Sequence, residues 1–145
     1  MTKGIEEFSC LFDFVPKIPI LNLENNTSDI TTALNELVVP YNGEITTLKT
    51  TKLNELKVKV KKETYLYGIV CDSLVDHEDK HRYMKIISTG IRDSGYIIIL
   101  EKKDKNIDVI YQLLEEFDYA AVSLIDIFDD FHLIMAKKVH MWGMN

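Results

Sequence analysis

The stretch Tyr65–Lys102, YLYGIVCDSLVDHEDKHRYMKIISTGIRDSGYIIILEK, decides how the chain is read. It divides into strand, short loop, amphipathic helix, turn and strand. Tyr65–Val70 is rich in aromatic and β-branched residues, which fit a pleated surface. Tyr83, Ile86, Ile87 and Ile91 recur at three- and four-residue spacing and predict one apolar helix face. Asp93-Ser94-Gly95 breaks that period and reads as a turn. Tyr96–Leu100 follows as an uninterrupted apolar run, the pattern of a strand covered on both faces in a parallel sheet. Two such strands bridged by a helix make a right-handed βαβ unit.

Working outward, the N-terminal side carries two more such signals. Ile5, Phe8, Leu11, Phe12 and Val15 share a helical spacing, so residues 1–17 read as a helical extension closed by Pro16 and Pro19. Ile18–Leu23 reads as a strand, and Leu21–Ser28 as its turn into a helix with Ile30, Ala33, Leu34, Leu37 and Val38 inward and Thr27 or Ser28 as N-cap. Pro40–Gly43 stops that helix, and Glu44–Thr50 is a Thr-rich strand. On the C-terminal side, Asn106–Phe117 predicts a helix burying Ile107, Ile110, Tyr111, Leu114 and Phe117. Tyr119–Phe128 and Phe131–Val139 then form an antiparallel hairpin turning at Asp129-Asp130. The tail, residues 140–145, is apolar and suits a partner surface through Met and Trp.

This arrangement resembles class I S-adenosylmethionine-dependent methyltransferases, from Ile18 to about Val139 and most clearly from Tyr65. Leu74-Val75-Asp76-His77 stands where the family has a His-containing loop after its fourth strand. Asp93-Ser94-Gly95-Tyr96 stands at its Pro-Gly-Gly-like turn, and the family closes its sheet with a hairpin. The resemblance implies an α/β, three-layer Rossmann-like sandwich with a mostly parallel sheet and a C-terminal antiparallel hairpin. Only ~14 residues separate Thr50 from Tyr65, about enough for one crossover. The family's third strand has no room, and that sheet edge is expected to be trimmed.

The cofactor positions implied by the resemblance depart from the family's pattern. Its E/D-x-G-x-G turn lets the backbone approach the ligand, with free N–H groups at the following helix start. Here Asn22 takes the acidic position, Glu24, Asn26 and Ser28 take the glycine positions, and Asn25 lies between. Asn tolerates left-handed backbone, so the turn can form. Side chains nevertheless obstruct the approach, and Glu24 is expected to repel the ligand's carboxylate. The ribose-binding acid at the end of the second strand corresponds to Lys49, a donor where an acceptor is needed. Cys71 and Asp72 complete the cofactor-side positions. Neither Cys71 nor its neighbours suggest an activated nucleophile, and a buried structural thiol is the expectation.

Two other patterns carry chemistry. His77-Glu78-Asp79-Lys80-His81 matches the H-E-x-x-H zinc-hydrolase motif, which needs both imidazoles one helical turn apart. Asp79 reads as the N-cap of the helix from Lys80, which leaves His77 in the preceding loop and away from His81. Asp72 and His77 are the candidate proton acceptors of a methyltransferase-like site, against the plainer reading that Asp72 and Ser73 cap a loop. Lys57-Val58-Lys59-Val60-Lys61-Lys62 alternates like a solvated, lysine-protected edge segment, with an anion patch as its functional alternative.

Composition narrows the classes. The 145 residues, 46% of them apolar, suffice for one core and one domain. A net charge of −6 argues against a nucleic-acid phosphate tract as partner. No run approaches ~20 apolar residues, so no membrane span is expected. Cys10 and Cys71 make no disulfide framework and the start lacks a secretory layout, which points to the cytoplasm. The functional expectation is a degenerate, non-catalytic methyltransferase-like protein that takes no cofactor, or S-adenosylmethionine if any. Its role is then interaction with a protein partner or self-association. The alternatives are an active methyltransferase with an atypical cofactor loop and, more remotely, a zinc-dependent hydrolase through His77, Glu78 and His81.

Overall fold

The computed structural model describes residues 4–24 and 29–139. One six-stranded sheet runs in the order β2-β1-β3-β4-β6-β5. Its strands are β1 (Pro19–Glu24), β2 (Glu44–Leu48), β3 (Tyr65–Cys71), β4 (Ile91–Lys102), β5 (Tyr119–Ile125) and β6 (Phe131–Lys138). β1 pairs in parallel with β2 and β3, and β3 with β4, whereas β6 lies antiparallel between β4 and β5. The mostly parallel sheet with a closing hairpin is the one expected. A single helix joins β2 to β3, so β2 is the sheet edge and the third strand is absent, as the short spacing required.

The core follows the two-residue alternation of the central strands. Ile97 and Ile99 of β4 and Val70 of β3 face a cluster with Leu56, Tyr83, Met84, Ile87, Ile110 and Leu114. These come from α3 (Leu53–Lys59), α4 (Lys80–Gly90) and α5 (Asp108–Glu116). Ile98, Leu100, Ile69 and Tyr67 face the other side, against Phe8 of α1 (Ile5–Ser9), Phe12, and Ile30, Leu34 and Val38 of α2 (Asp29–Val38). Three layers result, and the continuous apolar run of β4 is explained by burial on both faces.

Several elements differ from the sequence reading. The N-terminal helix is only five residues long, and Phe12 reaches the core from the irregular segment that follows it, packing 4.7 Å from the Tyr67 ring. The lysine run is not an extended edge: its first half belongs to α3. Leu56 and Val60, four apart, are buried, while Val58 is 84% exposed. The period-two alternation arose from a valine that faces solvent. Lys57 and Lys59 lie in the last turn of α3, where the helix dipole favours cations.

The helix before β4 stops at Gly90, and Asp93-Ser94-Gly95 is not a turn between elements. Ile91 already pairs with Tyr65 and the next pair is Tyr96 with Tyr67, so the intervening residues bulge out of the strand. Ser94 has φ 67°. Gly95 is needed there because a Cβ would sit 2.8 Å from the Leu66 carbonyl oxygen. Tyr111 of α5 is exposed, and Leu113 takes the inward place assigned to it. No helix among the described residues is long and apolar enough to cross a membrane. The expected caps Thr27 and Ser28, and the tail 140–145, lie outside the described residues.

Candidate functional site

In an open sheet, ligands sit beyond the carboxyl ends of the strands where the strand order reverses. Here that point lies between β1 and β3. Two corners meet there: the exit of β1 with Asn22, Glu24 and Thr31 of α2, and the loop from Asp72 to Asp79 after β3.

The first corner is built from buried polar side chains. Asn22 is fully buried and Glu24 is 5% exposed. Asn22 Nδ2 donates to Thr31 Oγ1 at 2.9 Å, and Thr31 Oγ1 donates to Glu24 Oε2 at 2.7 Å. Glu24 therefore turns its carboxylate back onto the first turns of α2, where the sequence reading had it projecting toward a ligand. A buried carboxylate is tolerable only with such partners. Asn22 Oδ1 has no hydrogen-bond partner among the described residues. Asn25 and Asn26 lie outside the described residues. Lys49 follows β2 and is exposed.

The second corner is held from below by Glu101, a residue the sequence reading did not single out. Glu101 is 1% exposed at the end of β4, and its Oε2 accepts from the backbone N–H groups of Leu74 at 2.9 Å and Val75 at 3.1 Å. Burial pushes its carboxyl above the ordinary value, with the two amide bonds opposing that rise. Ser73 Oγ lies 2.7 Å from the Tyr83 hydroxyl of α4. Burial pushes that phenol up to about 12. Asp72 adopts φ 53°, donates its N–H to Leu100 O at 2.8 Å, and lies 3.6 Å from Lys102 Nζ. A cleft of about 420 Å³ opens above the loop, bordered by Thr51, Lys52, Asp72, Asp76 and Glu78.

His77 borders the same cleft, but both ring nitrogens are engaged. The Asp79 N–H donates to Nδ1 at 2.9 Å, so Nε2 carries the hydrogen and donates to Thr51 O at 2.9 Å. Its ring also stacks on Tyr83, 4.4 Å between centroids. In this tautomer no lone pair faces the cleft, and the ring ties the loop to the segment after β2. Asp79 caps α4 by accepting from Arg82 N–H at 3.3 Å, which places His77 before the helix as its sequence position suggested. His81, on the helix, pairs with Glu116 of α5 at 2.8 Å. The two imidazoles are thus committed to different neighbours. Among the described residues no group of three or more His, Cys, Asp or Glu is arranged around a common metal position.

Cys71 ends β3 between the two corners. Burial, reinforced by Glu24, pushes its thiol up to about 12, which keeps it protonated and un-nucleophilic at neutral pH.

Comparison of the whole fold gives its relatives. A SAM-dependent methyltransferase from Aquifex aeolicus superposes with a TM-score of 0.70 at 11% identity, covering 94% of this chain and 90% of that one. The CurJ carbon methyltransferase gives 0.68 at 12% identity over 94% of this chain but only 52% of its own. Burkholderia thailandensis 1,6-didemethyltoxoflavin-N1-methyltransferase, solved with 1,6-didemethyltoxoflavin and S-adenosylhomocysteine bound, gives 0.62 at 9% identity over 94% and 79%. No protein-family model and no curated protein sequence matches the chain. The fold is that of class I SAM-dependent methyltransferases.

Proposed function

We propose that this chain is a degenerate methyltransferase-like protein that transfers no methyl group and serves as an interaction or dimerisation module. The observation that carries the reading is the Asn22–Thr31–Glu24 network. It fills, with buried polar side chains, the strand exit where the family keeps an acid and a glycine for its cofactor. Lys49 in place of the ribose-binding acid supports the same reading, as does a His77 ring whose two nitrogens are already hydrogen-bonded. S-adenosylmethionine does not fit a corner closed in this way. The two free cysteines, one exposed and one buried, suit a reducing compartment such as the cytoplasm.

One observation favours the other reading, an active enzyme with an atypical loop. Asn22 Oδ1 is a buried acceptor without a partner among the described residues, and such an atom is costly unless something donates to it. Incubation of the purified protein with tritiated S-adenosylmethionine and a cell extract as acceptor pool separates the two readings. The non-catalytic reading expects incorporation no higher than with boiled protein, and label above that background overturns it.

A further inference from the structure

A larger cleft lies elsewhere, between α3 and α4. It measures about 590 Å³, with Leu53, Val60 and Ile86 as apolar lining and Lys57, Lys62, Arg82 and Lys85 as cationic lining. Among the described residues no acidic side chain lines it. In a chain of net charge −6 this is a local inversion of sign. Arg82 has a helical neighbour, Asp79, at 3.5 Å. Lys57, Lys62 and Lys85 form no ion pair among the described residues, although acidic side chains outnumber basic ones in the chain.

Helix stability does not account for all four cations together. Lys57 lies in the last turn of α3, where a cation is favourable, but Arg82 lies in the first turn of α4, where the helix dipole disfavours one. Apolar side chains along the cleft with uncompensated charge around them form the surface that receives an amphipathic segment of opposite charge, as in helix-in-groove recognition. Nucleic acid suits it less well. Single strands are held by aromatic stacking, and no aromatic residue lines this cleft. The acidic remainder of the chain also repels a phosphate tract.

We infer that the α3–α4 cleft docks an acidic amphipathic helix of a partner protein, its apolar residues against Leu53, Val60 and Ile86 and its carboxylates on Lys57, Lys62, Arg82 and Lys85. This deepens the interaction reading above and rests on it. Lys57 and Lys62 of the basic run that begins in α3 are then part of a partner surface.

The test is fluorescence anisotropy with a labelled synthetic peptide of about four helical turns, Leu at i, i+3, i+4 and i+7 and Glu elsewhere. Saturable binding is expected, weakening as salt screens the charges. The double variant Lys57→Glu/Lys85→Glu should lose at least about tenfold in affinity, equivalent to 1.4 kcal/mol. The double variant Lys57→Gln/Lys85→Gln, which adds no repulsion, guards against a folding defect and should lose affinity in the same direction. Absence of peptide binding, or binding unchanged in both variants, overturns the inference. So does a uridine oligonucleotide that binds the same lysines more tightly than the peptide. Failure here with no response to S-adenosylmethionine leaves the non-catalytic reading standing, whereas peptide binding alongside methyl transfer overturns that reading and keeps the docking site.

Discussion

The two corners at the carboxyl edge of the sheet both contain a buried glutamate, and they use it in opposite ways. Behind β1, Glu24 accepts from a side-chain hydroxyl that itself accepts from Asn22, so three side chains are chained together where the strand meets α2. Behind β3, Glu101 accepts from two backbone amides, leaving Asp72, Asp76 and Glu78 of that loop to border a cleft. A carboxylate paired with side chains fills a corner. One paired with backbone shapes a loop and keeps the corner open. On the reading proposed above, the β1 corner is the one filled by side chains, and the loop after β3 is the one kept open to a cleft.

That contrast can be broken from either end. The largest effect is expected for Glu101→Leu, which strands the Leu74 and Val75 amides at about 1–3 kcal/mol for each buried unsatisfied group. Chemical denaturation should show the loss, and a change near zero would mean that the loop does not depend on Glu101. Thr31→Val removes the hydroxyl that links Asn22 to Glu24 and should destabilise by about 1–3 kcal/mol in the same assay. An unchanged midpoint would show that the corner is not held by this network.

The smallest effect is the most specific. The native carboxyl of Glu101 titrates above its unfolded value near 4.5. Its titration therefore favours the fold fully below that value, and this contribution is lost as pH rises through the native value. Glu101→Gln retains an acceptor for the two amides and removes the charge. The stability difference, variant minus wild type, should be flat below the unfolded value and grow in the variant's favour as pH rises through the window above it. A difference that shrinks with rising pH would mean that the amide bonds outweigh burial.

Much of this fold is legible in the sequence because its signals are local. The Ile97–Leu100 run, the Asp79 cap and the two hairpin strands are each read from a few neighbouring residues, although the first strand ends at Ile125 rather than Phe128. The missing strand follows from counting the residues between Thr50 and Tyr65. The lysine run misleads because Val58 breaks the rule that valines point inward. The residues that shape the site are harder to find for a different reason. Glu101 serves amides 26 and 27 positions earlier, and Lys138, 16% exposed at its side chain, donates to Ser88 O and Ile91 O at the junction of α4 and β4. Nothing near either residue in sequence distinguishes it from a surface charge. Of the site residues read from sequence, the structure gathers Asp72 and His77 at one cleft and Asn22 and Glu24 in another network, and sends His81 to α5. Their types were visible, but their partners were not.

On the proposed reading, the β1 corner does not admit the cofactor of this fold. Isothermal titration of the purified protein with S-adenosylmethionine and S-adenosylhomocysteine tests it most directly. No binding heat is expected at millimolar ligand. Saturable binding at micromolar affinity, weakened by Asn26→Lys, would contradict it and make the unpartnered Asn22 Oδ1 the first place to look for the ligand.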